Sequence, residues 1–423
     1  MFVADFHIHS KYSRATSKNM DLESLDRWAK IKGIKVLGTG DFTHPFWFKN
    51  IKDKLEPAEP GLYKLKGEGI DKATRFILTS EISCIYTKDP PLGKSGNRVR
   101  KIHILIFSPS IEVCEMINAK LGFIGNIKSD GRPILGMDAK ELLKIVLDAS
   151  PDCFVVPAHA WTPWFSIFGS KSGFDSIEEC FEDYSKYIYA IETGLSSDPK
   201  MNWRLSMLDK VSLISNSDAH SPQKIGREAN VFETELSYKG ITGAIKRKNP
   251  KEFLYTIEFF PEEGKYHFDG HRVCGVKTSP VESKKYNNIC PVCGKTLTIG
   301  VLNRVEELAD RPEGFTPPSF VPFKNLIPLP EIIVDVLECG PVNKRVSEQY
   351  NNLIKKFGNE FSILLNASLG ELRAATLPEI AEGIIRVREG KVFLDPGYDG
   401  VYGKINIFKE NEKEISSNPN TLF

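Results

Sequence analysis

The sequence has no run of 18 apolar residues, so it offers no stretch able to cross a bilayer as a helix. It has almost no net charge either: 56 Lys+Arg stand against 55 Asp+Glu. That balance gives the chain as a whole no pull toward nucleic acid, and any such surface must come from local clustering. Met1 leads straight into a strand-like run with no signal-like segment, which predicts a soluble, cytoplasmic protein. Paired cysteines are scarce. Cys84, Cys114, Cys153, Cys180 and Cys339 are scattered singly, and only Cys274, Cys290 and Cys293 cluster. In a reducing compartment that pattern points to metal rather than to disulfides. The 41% hydrophobic and 26% charged residues are those of a globular protein. At 423 residues it should divide into two to four domains.

What the chain does have is a recurring way of ending strands. Phe2-Val3-Ala4 reads as a short buried strand that delivers Asp5-Phe6-His7-Ile8-His9-Ser10. Side chains alternate along a strand, so His7 and His9 leave on one face and can share a metal. Lys35–Thr39 is followed by Asp41-Phe42-Thr43-His44, Arg75–Ser80 ends on Glu81, and His103 lies inside Lys101–Phe107. Cys153–Pro157 precedes His159, Ile188–Ile191 ends on Glu192, and Val211–Asn216 delivers Ser217-Asp218-Ala219-His220. Helical segments separate most of these runs. Asp21 caps one through Lys32 with Gly33 ending it, and Asp138 opens another with Glu141 three residues on. Seven such runs predict an α/β fold with a parallel sheet and crossovers. In a β/α barrel the strand ends share one mouth, where active sites are built. One histidine there is ordinarily a core residue. Six of the eight in the chain fall on this pattern, which predicts a metal cluster.

These motifs resemble the polymerase and histidinol phosphatase (PHP) superfamily over about residues 1–235. The resemblance implies a distorted seven-stranded β/α barrel with a two- or three-metal site for phosphoester hydrolysis. It maps the ligand set onto His7, His9, Glu81, His103, His159, Asp218 and His220. The family commonly has an Asp-His pair after the second strand, whereas this chain reads Asp41-Phe42-Thr43-His44, so either Asp41 or His44 takes that role. Another family histidine, shortly after the first motif, is replaced by Lys11, Tyr12 and Arg14. Imidazole and carboxylate together suit Zn²⁺, Mg²⁺ or Mn²⁺, as two or three ions. Arg14, Lys171 and the Ser170/Ser172 pair are either phosphate contacts or solvated loop residues.

Beyond Lys239 the charge changes. Residues 239–300 carry eleven Lys/Arg against six acids, a basic cluster hidden in the whole-chain balance. Within it lie His271-x₂-Cys274 and, after a 15-residue loop, Cys290-Pro291-Val292-Cys293-Gly294. Two such pairs predict one closed, structural zinc site, with His267 as the spare ligand. Prolines crowd residues 312–330 as a stiff strap, and Glu331–Leu337, Val342–Phe357 and Pro378–Arg388 read as helices. Tyr398 and Tyr402 stand among glycines, where they either stack on bases or form a turn packed on a core. The tail after Lys409 is polar and expected to fray. The expected parts are a barrel over 1–238, a basic zinc module over 239–311, a helical domain over 312–390, and a Gly/Tyr turn, strand and tail over 391–423.

The whole arrangement resembles the endonuclease Q family of archaeal and occasional bacterial DNA-repair enzymes. Gly38–Pro45, His271…Cys293 and Gly300–Arg311 carry that likeness. It implies hydrolysis of the phosphodiester 5′ to hypoxanthine, uracil, xanthine or an abasic site. Damaged DNA is then the expected partner, with a sliding clamp as a second and no membrane. Trp164, Tyr398 and Tyr402, with Trp161, are the candidates for holding the extruded base, and the loop Thr43–Lys72 is the next. Two other readings share the motifs: a small-molecule phosphomonoesterase, and a DNA-binding adaptor with a vestigial barrel.

Overall fold

The protein is described from a computed structural model over residues 1–88 and 98–409. Short apolar runs become strands where both faces are covered. In chain order these are β1 (Phe2–Asp5), β2 (Val36–Gly38), β3 (Leu55–Pro57), β4 (Tyr63–Leu65), β5 (Arg75–Lys88), β6 (Arg98–Ser108), β7 (Ile134–Leu135), β8 (Phe154–Pro157), β9 (Ala190–Glu192), β10 (Ser212–Ile214), β11 (Ala229–Phe232) and β12 (Phe253–Glu258). All seven predicted runs are strands. Helices cover them as their caps dictate. Leu22–Lys32 starts where Asp21 accepts from Ser24 N and stops at Gly33, whose φ is +88°. Ala139–Ala149 starts on Asp138, which accepts from Lys140 N.

The predicted parallel barrel needs correcting. The main path runs β12–β11–β1–β2–β5, with β6 on β5 and β8 on β6. Pairs β1/β2 and β2/β5 are parallel, but β1/β11, β11/β12, β5/β6 and β6/β8 are antiparallel. Strands β9 and β10 form a separate parallel pair, so among the described residues no ladder closes into a barrel. Buried amides fill the gap. Asn216 Oδ1 accepts from Phe6 N at 2.9 Å, and Asn230 Oδ1 accepts from Ser215 N at 3.0 Å. Side chains thus take bonds that a neighbouring strand would otherwise supply.

The pairing of β11 with β12 carries the main sheet across the expected boundary at residue 238. Beyond it, β13 (Asp269–His271) and β14 (Val276–Thr278) form a hairpin. The helix Val301–Leu308 is anchored to the sheet domain by Arg304, which donates to Phe168 O and Phe174 O at 3.1 Å each. In the proline-rich strap, β15 (Phe323–Asn325) pairs with β12. Helices Leu329–Leu337, Lys344–Phe357 and Pro378–Arg388 follow, docked through a buried Lys32–Glu360 ion pair of 2.7 Å. A last hairpin, β16 (Phe393–Asp395) and β17 (Lys404–Asn406), returns the chain to β13. Among the described residues no helix is long and apolar enough to cross a membrane. The expectation for the tail after Lys409 lies outside them.

Candidate metal centre

Three strand ends turn sharply toward one point. Asp41, His159 and Asp218, after β2, β8 and β10, hold φ at +49°, +31° and +46°. Residues with a Cβ avoid that region unless their surroundings over-determine it, and such strain collects at functional sites.

The two histidines after β1 are locked by carboxylates. His7 Nδ1 donates to Glu192, 3.0 Å from each oxygen, and Glu192 also accepts from Asn216 Nδ2 (2.9 Å) and His159 N (2.8 Å). His9 Nδ1 donates to Asp41 Oδ1 at 3.1 Å. Asp41 Oδ2 accepts from Ser10 N and Ser10 Oγ at 2.6 Å each and from Ser13 Oγ at 2.8 Å. With Nδ1 spoken for, each ring turns Nε2 inward.

Glu81 sits between two ligand groups. Its Oε2 lies 3.4 Å from His7 Nε2 and 3.2 Å from His9 Nε2, and His9 Nε2 is 3.0 Å from Asp218 Oδ1. Its Oε1 lies 2.8 Å from His103 Nδ1 and 3.2 Å from His159 Nε2. Within each group, His7/His9/Glu81/Asp218 and Glu81/His103/His159, the ligand atoms all fall within 4.8 Å of one another. Glu81 is inside β5 rather than at its end, opposite Leu105 of β6, and that register sets it beside the β6 histidine.

A divalent cation fits this donor set. His7 Nε2, His9 Nε2 and Asp218 Oδ1 are buried without a hydrogen-bond partner, although they face one another. Orphaned buried polar atoms are rare and need an explanation. The electrostatics agree. Burial disfavours charge on His7, but Glu192, Glu81 and Asp218 outweigh it and hold the imidazole well above the usual histidine range. Burial pushes Glu81 up, yet His103, Arg132 and His7 hold its carboxyl well below the usual range. The buried carboxylates draw protons onto His7 and His9, while burial pushes His103 down to about 4, and a bound metal would supply that positive charge instead.

The remaining predicted residues lie outside both groups. Asp41 orients His9, while His44 turns away and stacks on Tyr12 with ring centroids 4.6 Å apart. Neither member of that alternative faces the cluster. His220 stands beside it, ring centroid 4.6 Å from His9, with Nδ1 donating to Asp218 O at 2.9 Å. Arg14 and Lys171 are exposed, their backbone N–H groups bonded to Asp130 Oδ1 and Pro163 O. Two residues were not predicted for the site. Glu192 closes a strand like the others, so its signal was present. Arg132, whose Nη1 donates to Glu81 Oε2 at 3.1 Å, comes from an irregular loop with no periodic cue.

A cavity of about 420 Å³ opens against His159 and Asp218. Trp164, 39% exposed, and Tyr402, 70% exposed, line it together with Tyr266 and Lys265. The Trp164 and Tyr266 rings meet edge to face at 5.7 Å. Trp161 is buried, its Nε1 donating to Asn202. Tyr398 packs on Gly270, where a Cβ would come within 2.4 Å of its ring. Two of the four stacking candidates therefore face the cavity and two do not.

The second cluster is His271, Cys274, Cys290 and Cys293, ligand atoms again within 4.8 Å of one another. Gly294, at φ +73°, completes the turn that brings Cys290 and Cys293 together, its N–H donating to Cys290 O at 2.9 Å. Burial raises the Cys290 thiol, but backbone N–H groups of Cys293 and Val292 outweigh it and bring it down to about 7. A thiol so biased toward thiolate suits zinc. The spare ligand, His267, stays out of this cluster. It lines the cavity, and burial pushes it down to about 4.

Known proteins bear on this geometry. The family described as MJ0043 C-terminal domain matches residues 328–391. The chain is 37% identical over 265 residues to the protein MJ0043 of Methanocaldococcus jannaschii, across 60% of this chain but only 32% of that longer one. It is 31% identical over 417 residues to YqxK of Bacillus subtilis, covering 95% of this chain and 98% of the other. Among solved structures, the lesion-specific endonuclease PfuEndoQ from Pyrococcus furiosus superposes with a TM-score of 0.84 at 30% identity, over 100% of this chain and 99% of that one. Endonuclease Q in complex with a 27-mer duplex bearing an abasic lesion at the active site gives 0.82 at 31% identity, over 97% of each. This chain belongs to the endonuclease Q family.

Proposed function

We propose that the chain is a metal-dependent DNA-repair endonuclease that hydrolyses the phosphodiester 5′ to a deaminated base or an abasic site. The observation that carries this is the sharing of Glu81 by two ligand groups, set against an aromatic-lined cavity. Two divalent ions, Zn²⁺, Mg²⁺ or Mn²⁺, would be held by His7, His9, Glu81 and Asp218 and by Glu81, His103 and His159. Bound there, they would activate water and neutralise charge on the phosphate. The chain supplies the positioning. Glu192 and Asp41 hold the histidine rings, and Arg132 adds a fixed cation beside Glu81. Trp164 and Tyr402 offer faces to an extruded nucleotide, whose unpairing costs least when the base pairs badly. Arg14 and Lys171 are assigned to the DNA backbone. His271, Cys274, Cys290 and Cys293 hold one structural zinc. The sheet with β9 and β10 beside it is read as a distorted, unclosed PHP-type barrel. A small-molecule phosphomonoesterase would have no use for the aromatic cavity beside the zinc module, and a vestigial adaptor would not keep both ligand groups.

The test is cleavage of duplexes containing hypoxanthine, uracil or an abasic site, beside an undamaged duplex and p-nitrophenyl phosphate. Cutting 5′ to the lesion, abolished by EDTA and restored by added Mg²⁺, Mn²⁺ or Zn²⁺, is the expected result. Hydrolysis of the small phosphomonoester with no cut in damaged DNA would overturn the reading.

A further inference from the structure

Three rings are tied to His9 through Asp41, and the outermost reaches the surface. His9 turns Nε2 toward Asp218, which lines the cavity, and Nδ1 toward Asp41. Beyond Asp41 stands the ladder. His44 N donates to Asp41 O at 2.9 Å, and Tyr12 N donates to Ser10 Oγ, which itself donates to Asp41. The Tyr12 and His44 rings stack at 19°. Phe46 closes the outer end, 5.8 Å from His44 and 6.3 Å from Tyr12, and is 63% exposed. The core does not need it, because Trp47 and Phe48 of the same helix, Pro45–Lys54, take the buried positions.

The ladder is built to stay in place. Gly131 packs on its support so closely that a Cβ would lie 2.2 Å from Asp41 Oδ2, and Gly131 N donates to Tyr12 O at 3.1 Å. Burial holds the His44 imidazole below the usual histidine range. Lys11, whose Nζ is 5.8 Å from the Tyr12 ring, and Lys128 are exposed nearby, where they suit a passing phosphate backbone.

A phosphodiester seated between the two ligand groups joins two nucleosides that leave it in opposite directions. One side holds the cavity, which takes the lesion nucleotide. The ladder is attached on the Nδ1 side of His9, away from the Nε2 that faces Asp218 and the cavity it lines. We propose that Tyr12, His44 and Phe46 form a stacking platform for the base immediately 5′ of the cleaved phosphate, with Phe46 as the contacting ring. The proposal rests on the endonuclease reading above. Stacking on an aromatic face tolerates any base, so the platform positions the strand without reading its sequence.

The experiment uses the whole protein and a uracil-containing duplex whose 5′-flanking base is either thymine or its non-planar 5,6-dihydro form, under single-turnover conditions. In the unaltered protein, loss of planarity should lower the rate at subsaturating enzyme by about tenfold. Phe46→Ala should be slowed by about that factor on the thymine substrate and be indifferent to the swap, and Phe46→Trp should restore both. With 2-aminopurine at the flanking position, binding should quench fluorescence in the unaltered protein and not in Phe46→Ala. Phe46→Ala retaining the full thymine-to-dihydrothymine ratio would overturn the platform while leaving the endonuclease reading intact. No cleavage of any lesion duplex by the unaltered protein would overturn that reading and the platform with it.

Discussion

Glu192 grips His7 symmetrically, each carboxylate oxygen 3.0 Å from Nδ1, while one of those oxygens also holds the His159 backbone N–H. One buried side chain thus orients a residue from each ligand group. Replacing it by Gln leaves the shape and removes the charge that favours a metal-binding tautomer. Glu192→Gln should weaken metal affinity about 10- to 100-fold, as loss of such an outer partner does. Titrating the apoprotein with Mn²⁺ reads this directly. An unchanged affinity would mean that His7 holds its geometry without Glu192.

Much of this site is legible in the sequence because strand geometry is local. Period-two alternation places His7 and His9 on one face, and strand ends mark His159 and Asp218, whereas Glu81 lies inside the longer β5. The pairing of strands is not local. Strands β5 and β6 pair antiparallel, and that direction is fixed by contacts between the two strands that neither run shows by itself. Strands β11 and β12 escape notice because Asn230, Thr256 and Glu258 interrupt their apolar runs. Those are the buried polar groups that serve the unclosed side of the sheet. His44 looks like a ligand by type and spacing, and only the conformation after Asp41, at φ +49°, sends it into the aromatic ladder.

The cluster of His271, Cys274, Cys290 and Cys293, proposed above to hold zinc, should be separable from cleavage. Thiolate ligation contributes folding free energy, on the order of 10 kcal/mol in small zinc domains. Cys293→Ala should therefore lower zinc content by one ion per chain and lower the Tm, with weaker DNA binding as a consequence. Metal analysis and a thermal melt check both. Full zinc content with an unchanged Tm would remove zinc from these four residues.

Glu258 sets a pH slope on stability. It is fully buried, accepts from Thr193 Oγ1 at 2.8 Å and from Thr256 Oγ1, and faces Glu228 and Asp198. Burial, reinforced by Asp198, pushes it from 4.5 up to about 8. The folded state therefore keeps a proton that the unfolded chain releases above its ordinary value. Stability should fall as pH rises from about 4.5 through about 8, because folding takes up that proton. Glu258→Gln mimics the neutral acid and should flatten the slope, most visibly between pH 6 and 8 in melts run at about half-unit steps. A slope unchanged by the substitution would assign it to other groups, Glu228 first.

The cavity should discriminate lesions by what its aromatic wall can hold. Trp164 and Tyr402 line it, whereas Tyr398 is packed on Gly270 and Trp161 is buried against Phe168. An extruded hypoxanthine or uracil presents a face to stack, worth about 1–3 kcal/mol per base, while an abasic site presents none. Trp164→Ala and Tyr402→Ala should therefore slow cutting at hypoxanthine and uracil by about tenfold or more, and at an abasic site far less. Tyr398→Ala should alter stability and leave the ratio between lesions alone, since its ring supports the β13 hairpin instead of facing the cavity. Matched duplexes differing only at the lesion give the ratio, and the abasic substrate controls for general damage to the metal centre. Equal slowing on all three lesions would show that the wall shapes the site without holding the base.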